Sequence, residues 1–159
     1  MGLDKTDKIR RAIADSALPS PIQNIADGNV PSAVLDWAEW KPVSAYFELL
    51  ELQGFEWLHE CVPLWEDRFN HYLYVYFEKP KCYERLDYRT GERWEFGSCY
   101  SEFVAKILLP IAETGADEII LQKFFSLLDF KWSTEFLNLL EEYDSAKEAA
   151  FLRKISARD

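Results

Sequence analysis

Tyr72-Leu73-Tyr74-Val75-Tyr76-Phe77 is rich in aromatic and β-branched residues, and its period of two puts three tyrosines on one face and Leu73, Val75 and Phe77 on the other. Both faces of this strand are therefore expected to be covered. Three further runs flank it: Val62 to Trp65, Cys82 to Tyr88 and Arg93 to Phe96. They are separated by Glu66 to His71, by a break at Pro80 and by Arg89-Thr90-Gly91-Glu92. Links this short favour an antiparallel meander of about four strands.

Helical periodicity surrounds the meander. Ile9, Ala12 and Ile13 predict a first helix from Asp4 to Ser16, closed by Pro19. Pro19, Pro21, Asp27-Gly28-Asn29 and Pro31 mark an irregular connection, a loop or a clipped strand. Pro42 suits a first helical position, and Val43, Tyr46, Phe47 and Leu50 form a stripe ending at Gly54. After Ser98, the spacing of Tyr100, Phe103, Val104, Ile107 and Leu108 predicts an amphipathic helix stopped by Pro110. Beyond Gly115, Ile120, Phe124, Leu127 and Leu128, then Phe136, Leu137, Leu140 and Tyr143, predict a pair of C-terminal helices whose end frays.

The fold class expected is α+β, an antiparallel sheet flanked by helices with an added helical pair. At 159 residues the chain is expected to form one domain, with an α+β core over 1–112 and the C-terminal helices of 113–159 packed on it.

Eighteen Lys and Arg stand against 28 Asp and Glu, a net charge of −10, which disfavours direct binding to nucleic acid or to an anionic membrane. The surplus is concentrated. Residues 33–67 hold one base, eight acids and four of the six tryptophans. Two like charges about 10 Å apart in water repel by roughly 0.4 kcal/mol, so a cationic surface docking here would relieve several such terms. Large rings ringed by charge also suit a protein interface, the rings burying area and the charges steering encounter. The expected contact residues are Glu48, Glu51, Glu56, Trp57, Glu60, Trp65, Glu66 and Asp67, with Tyr72 and Tyr74 from the neighbouring strand.

Enzyme signatures are sparse. Six glycines form no phosphate-cradling loop and no nucleophile elbow, and two histidines leave little acid–base chemistry near neutral pH. Cys61, Cys82 and Cys99 are odd in number and widely spaced, which suits reduced thiols in a cytoplasmic core. Their spacing with His59 and His71 lacks the paired short intervals of a zinc site, so no metal or other cofactor is expected. Cys61 beside His59 is the one nucleophile–base pair to weigh. The N-terminus, Met1 to Lys8, alternates in charge without the apolar stretch of a secretory signal, and no run approaches a membrane span. Gly2 with Thr6 fits the formal myristoylation spacing, taken here as coincidence.

The order of elements is distinctive: Leu18-Pro19, Gly28-Asn29, Val62-Pro63-Leu64 entering a strand, Tyr72 to Val75, Asp87-Tyr88-Arg89-Thr90-Gly91-Glu92, and Tyr100-Ser101-Glu102-Phe103-Val104 opening a helix. Over Ile9 to Leu109 it resembles the SUKH superfamily of Smi/Knr-like proteins, which includes bacterial immunity proteins and relatives of fungal cell-wall regulators. The resemblance implies a non-catalytic cytosolic α+β protein that binds and neutralises a cognate toxin. A nuclease-like toxin, with a basic substrate groove, would complement the acidic chain. The regulatory branch implies instead an intracellular scaffold module without a toxin, and a small enzyme using Cys61 with His59 is a further alternative. Oligomeric state is left open.

Overall fold

The computed structural model describes residues 4–159; Gly2 of the myristoylation spacing lies outside them. The fold is α+β, with a five-stranded antiparallel sheet in the order β1-β2-β3-β4-β5. The strands are β1 (Trp40–Lys41), β2 (Val62–Asp67), β3 (Tyr72–Glu78), β4 (Lys81–Asp87) and β5 (Arg93–Gly97). Four are those expected from the sequence. The fifth, β1, is a two-residue strand that pairs Trp40 with Asp67 and Lys41 with Glu66. The chain divides into two compact units, Met1–Glu95 and Phe96–Asp159.

In the first unit, α1 (Lys5–Asp15) and α2 (Ser20–Ala26) pack on β2. The segment expected to be irregular is partly helical: α2 begins just after Pro19, and α3 (Ser32–Leu35) just after Pro31. The physical reason is that proline at the start of a helix forfeits an N–H that has no intrahelical partner anyway. Burial of Ile22, Ile25 and Val34 then holds these short helices. The stripe after Pro42 gives only α4 (Ala45–Leu49), followed by a turn and a 3-10 segment, Glu56–Glu60.

Both faces of β3 are buried. Leu73 and Val75 join Leu86 of β4 with Tyr46, Leu49, Leu58 and Cys61 in one apolar cluster. On the other face Tyr74 contacts Trp65, which lies against Trp40, with ring centroids 5.1 and 5.3 Å apart.

The second unit holds α5 (Tyr100–Glu113), α6 (Glu118–Leu128), α7 (Ser133–Glu141) and α8 (Ser145–Ser156), with α5 packed on α6 and α8. Helix α5 runs through Pro110 rather than stopping there. Pro110 is exposed, and the N–H of Thr114 still donates to its carbonyl at 3.1 Å, so the missing donor does not end the helix. Three helices, not two, follow Gly115. The carboxylate of Asp144 accepts from the N–H of Lys147 at 2.7 Å and starts α8 afresh, while buried Phe151 and Ile155 keep it from fraying. Phe136 is the hub of this unit, 5.7 Å from Phe125, 5.9 Å from Phe130 and 6.2 Å from Phe151.

Candidate functional site: an acidic turn and its aromatic neighbours

The expected contact residues separate into two groups. Glu48, Glu51, Glu56 and Glu60 are exposed, on one continuous stretch from α4 through the 3-10 segment. Glu51 lies just past the end of α4, but its N–H donates to the carbonyl of Glu48 at 3.2 Å, so the two carboxylates share one turn. Leu52, 53% exposed, lies next to Glu51 in the same stretch. Glu56 folds its carboxylate onto the N–H of Gly54 at 3.0 Å, and the backbone N–H groups of Glu56 itself and of Gly54 hold it below the usual carboxylate range. It is ionised at neutral pH.

Trp57 is half-buried at the margin of this stretch. It stacks on Phe77 with centroids 6.0 Å apart, and the Arg93 guanidinium lies 3.7 Å from the centre of its ring. Arg93 in turn donates twice to one oxygen of Glu84, at 2.8 and 2.6 Å. The sequence did not single out Arg93 or Leu52. The available signal for Arg93 was the hairpin register, which brings β5 back beside β4.

Trp65, Glu66, Asp67 and Tyr74 belong to the second group, and here the sequence expectation needs correcting: all four are buried. The Glu66 carboxylate accepts from the N–H groups of Ser44 and Ala45, satisfying the free donors at the start of α4, and its other oxygen accepts from the Ser44 hydroxyl at 3.3 Å. Glu66 thereby positions the acidic turn without being part of its surface. Asp67 closes the β2–β3 turn, accepting from the N–H of Phe69 at 3.1 Å and from the Asn70 side chain at 3.0 Å. Tyr72 is half-buried, and the guanidinium of Arg85 lies 4.1 Å from its ring centre.

Burial raises the Asp67 carboxyl above its ordinary value, the hydrogen bonds from Asn70 and Phe69 offsetting only part of the desolvation. The folded chain therefore holds this proton more tightly than the unfolded one. Stability from this group is lost as pH rises from the ordinary carboxylate value of about 3.9 through the raised folded value. Asp67→Asn removes that titration while keeping an acceptor for the turn. Compared by urea unfolding at pH 3.5 and 7, the variant is expected to gain on the native chain as pH rises; a gap that is flat or shrinks would show that burial does not dominate.

Cys61 is buried, its thiol donates to the carbonyl of Leu58 at 3.3 Å, and burial pushes its pKa up to about 12. At neutral pH it is a thiol, not a thiolate, while His59 is exposed. Among the described residues no group of three His, Cys, Asp or Glu side chains could hold a metal ion, and no helix is long and apolar enough to cross a membrane.

No family model, curated protein or solved structure matches the chain. The chemistry of the site thus rests on its own geometry. Four exposed carboxylates lie within thirteen consecutive positions, Glu48 to Glu60, on a turn anchored from below by Leu49, Leu58 and the Glu66 cap. That arrangement can attract and orient a cationic surface.

Proposed function

We propose that the chain is a non-catalytic, immunity-type protein that binds and neutralises a basic, nuclease-like toxin, using the exposed acidic turn from Glu48 to Glu60. The observation that carries this is the joint exposure of Glu48, Glu51, Glu56 and Glu60 on the short stretch that also holds exposed Leu52 and half-buried Trp57. Exposed carboxylates raise association rates with a cationic partner, while Leu52 and Trp57 supply apolar area. The resemblance of the order of motifs to the SUKH superfamily supports the same class of partner. Trp65, Glu66, Asp67 and Tyr74 act in this proposal only through the fold.

The test is Glu48→Lys combined with Glu51→Lys, with binding to the toxin encoded beside this chain followed by stopped flow. Association is expected to slow by about tenfold at low salt, with the difference closing as salt screens it. An on-rate and salt dependence equal to those of the native chain would refute steering by this turn. A gene standing alone, with no toxin beside it, would favour the scaffold function instead.

A further inference from the structure

A concave site of about 350 Å³ opens between α1 and α4, well away in character from the acidic turn. Ile9, Tyr46, Cys61 and Pro63 are its buried residues, and Ala12, Phe47 and Leu50 its half-buried walls. The polar atoms near its floor are already engaged: the Tyr46 hydroxyl and the Cys61 thiol each donate to the carbonyl of Leu58, both at 3.3 Å. What remains for a ligand is apolar surface. The charged residues lining the site are Lys5 and Lys8, exposed and three apart on α1, hence on one side of the helix. Lys5 holds its ammonium 4.9 Å from the centre of the Phe47 ring, at the wall of the cavity. Ligand sites run from roughly 300 to 1,000 Å³, so the volume admits a small guest.

We infer that this cavity binds a free medium-chain carboxylate, its alkyl tail against Ile9, Phe47, Leu50 and Pro63 and its carboxylate between Lys5 and Lys8. Charge complementarity selects this occupant. In a chain of net charge −10, the two side chains that frame an otherwise apolar cavity are both cationic. A neutral alkane chain would leave them unused, and an alkylammonium would be repelled. Tail length sets affinity, since each buried methylene tightens binding by about fourfold.

Calorimetric titration of the full chain with octanoate, decanoate, 1-octanol and octylammonium tests the assignment. One saturable site is expected for octanoate, with decanoate tighter by roughly fifteenfold, 1-octanol weaker than octanoate, and octylammonium weakest. Ala12→Trp, which places an indole in the cavity, is expected to abolish octanoate binding with the circular dichroism spectrum unchanged. Lys5→Glu with Lys8→Glu is expected to remove the preference for octanoate over 1-octanol. Absence of saturable decanoate binding overturns the inference, as does equal affinity of the native chain for octanoate and 1-octanol. Native affinity in a folded Ala12→Trp variant also overturns it. Should Ala12→Trp not fold, the native ligand series and the charge-reversed variant decide alone. None of these outcomes bears on the toxin, whose on-rate is read separately.

Discussion

Trp65→Ala is expected to destabilise the fold by roughly 3–5 kcal/mol, the range for removing a fully buried large aromatic side chain. Trp65 is 0% exposed, and its ring lies between Trp40 at 5.3 Å and Tyr74 at 5.1 Å. Truncation takes away the transfer energy of the indole and leaves a cavity that two large neighbours cannot both collapse into. Urea unfolding measures it: the midpoint should fall while the slope stays near that of the native chain. A loss below about 1 kcal/mol would mean that the indole is not packed as described, since surface substitutions stay within roughly 0.5 kcal/mol. The outcome also bears on function. An exposed contact residue would weaken partner binding and leave stability alone; Trp65 is expected to do the reverse when binding is measured on the folded fraction.

Trp65 also marks where sequence stops predicting function. The run Val62 to Trp65 is legible as strand, two residues short of the observed end of β2, and the three strands after it lie within one residue of their observed ends. Alternation assigns side chains to two faces but does not say which face is solvated. The aromatic and β-branched content of Tyr72 to Phe77 implies cover on both, as the structure shows, whereas the four-residue run Val62 to Trp65 carries no such signal for Trp65. Glu66 was less legible still. Its carboxylate caps α4 from 22 and 21 residues away, a contact that no local pattern encodes. Glu48 and Glu51 fall within the stripe read as one helix up to Gly54, but α4 ends at Leu49, so only Glu48 is helical, although both are exposed. Prolines misled twice in opposite senses: Pro19 and Pro31 read as loop markers although they precede helices, and Pro110 read as a stop although α5 continues for three more residues. Pro19 and Pro31 sit where a helix start tolerates proline, whereas at Pro110 the buried Ile107, Leu108 and Leu109 outweigh the local preference.

Gly97→Ala is expected to cost about 2–4 kcal/mol, from two separable sources. The first is the backbone: Gly97 ends β5 at φ +107°, where a side chain of any L-residue is strained. The second is steric. A Cβ at this position would approach Cδ of Glu102 to 2.4 Å and Cγ to 2.8 Å, so the Glu102 side chain must move. Moving it forfeits the ion pair with Lys106 at 2.9 Å and the hydrogen bond from the Ser156 hydroxyl at 3.0 Å, which ties the start of α5 to the end of α8. A double-mutant cycle divides the two. In a Glu102→Ala background the clash and its partners are already gone, so Gly97→Ala should cost only the backbone part, about 1–3 kcal/mol. The double variant is therefore expected to lose less stability than the sum of the two single variants, by about 1 kcal/mol, the net worth of a hydrogen bond. Equal costs in both backgrounds would show that Glu102 gives way freely and that the glycine is required by its backbone conformation alone. A negligible cost in either would contradict the left-handed geometry itself, because strain at positive φ does not depend on which neighbours are present.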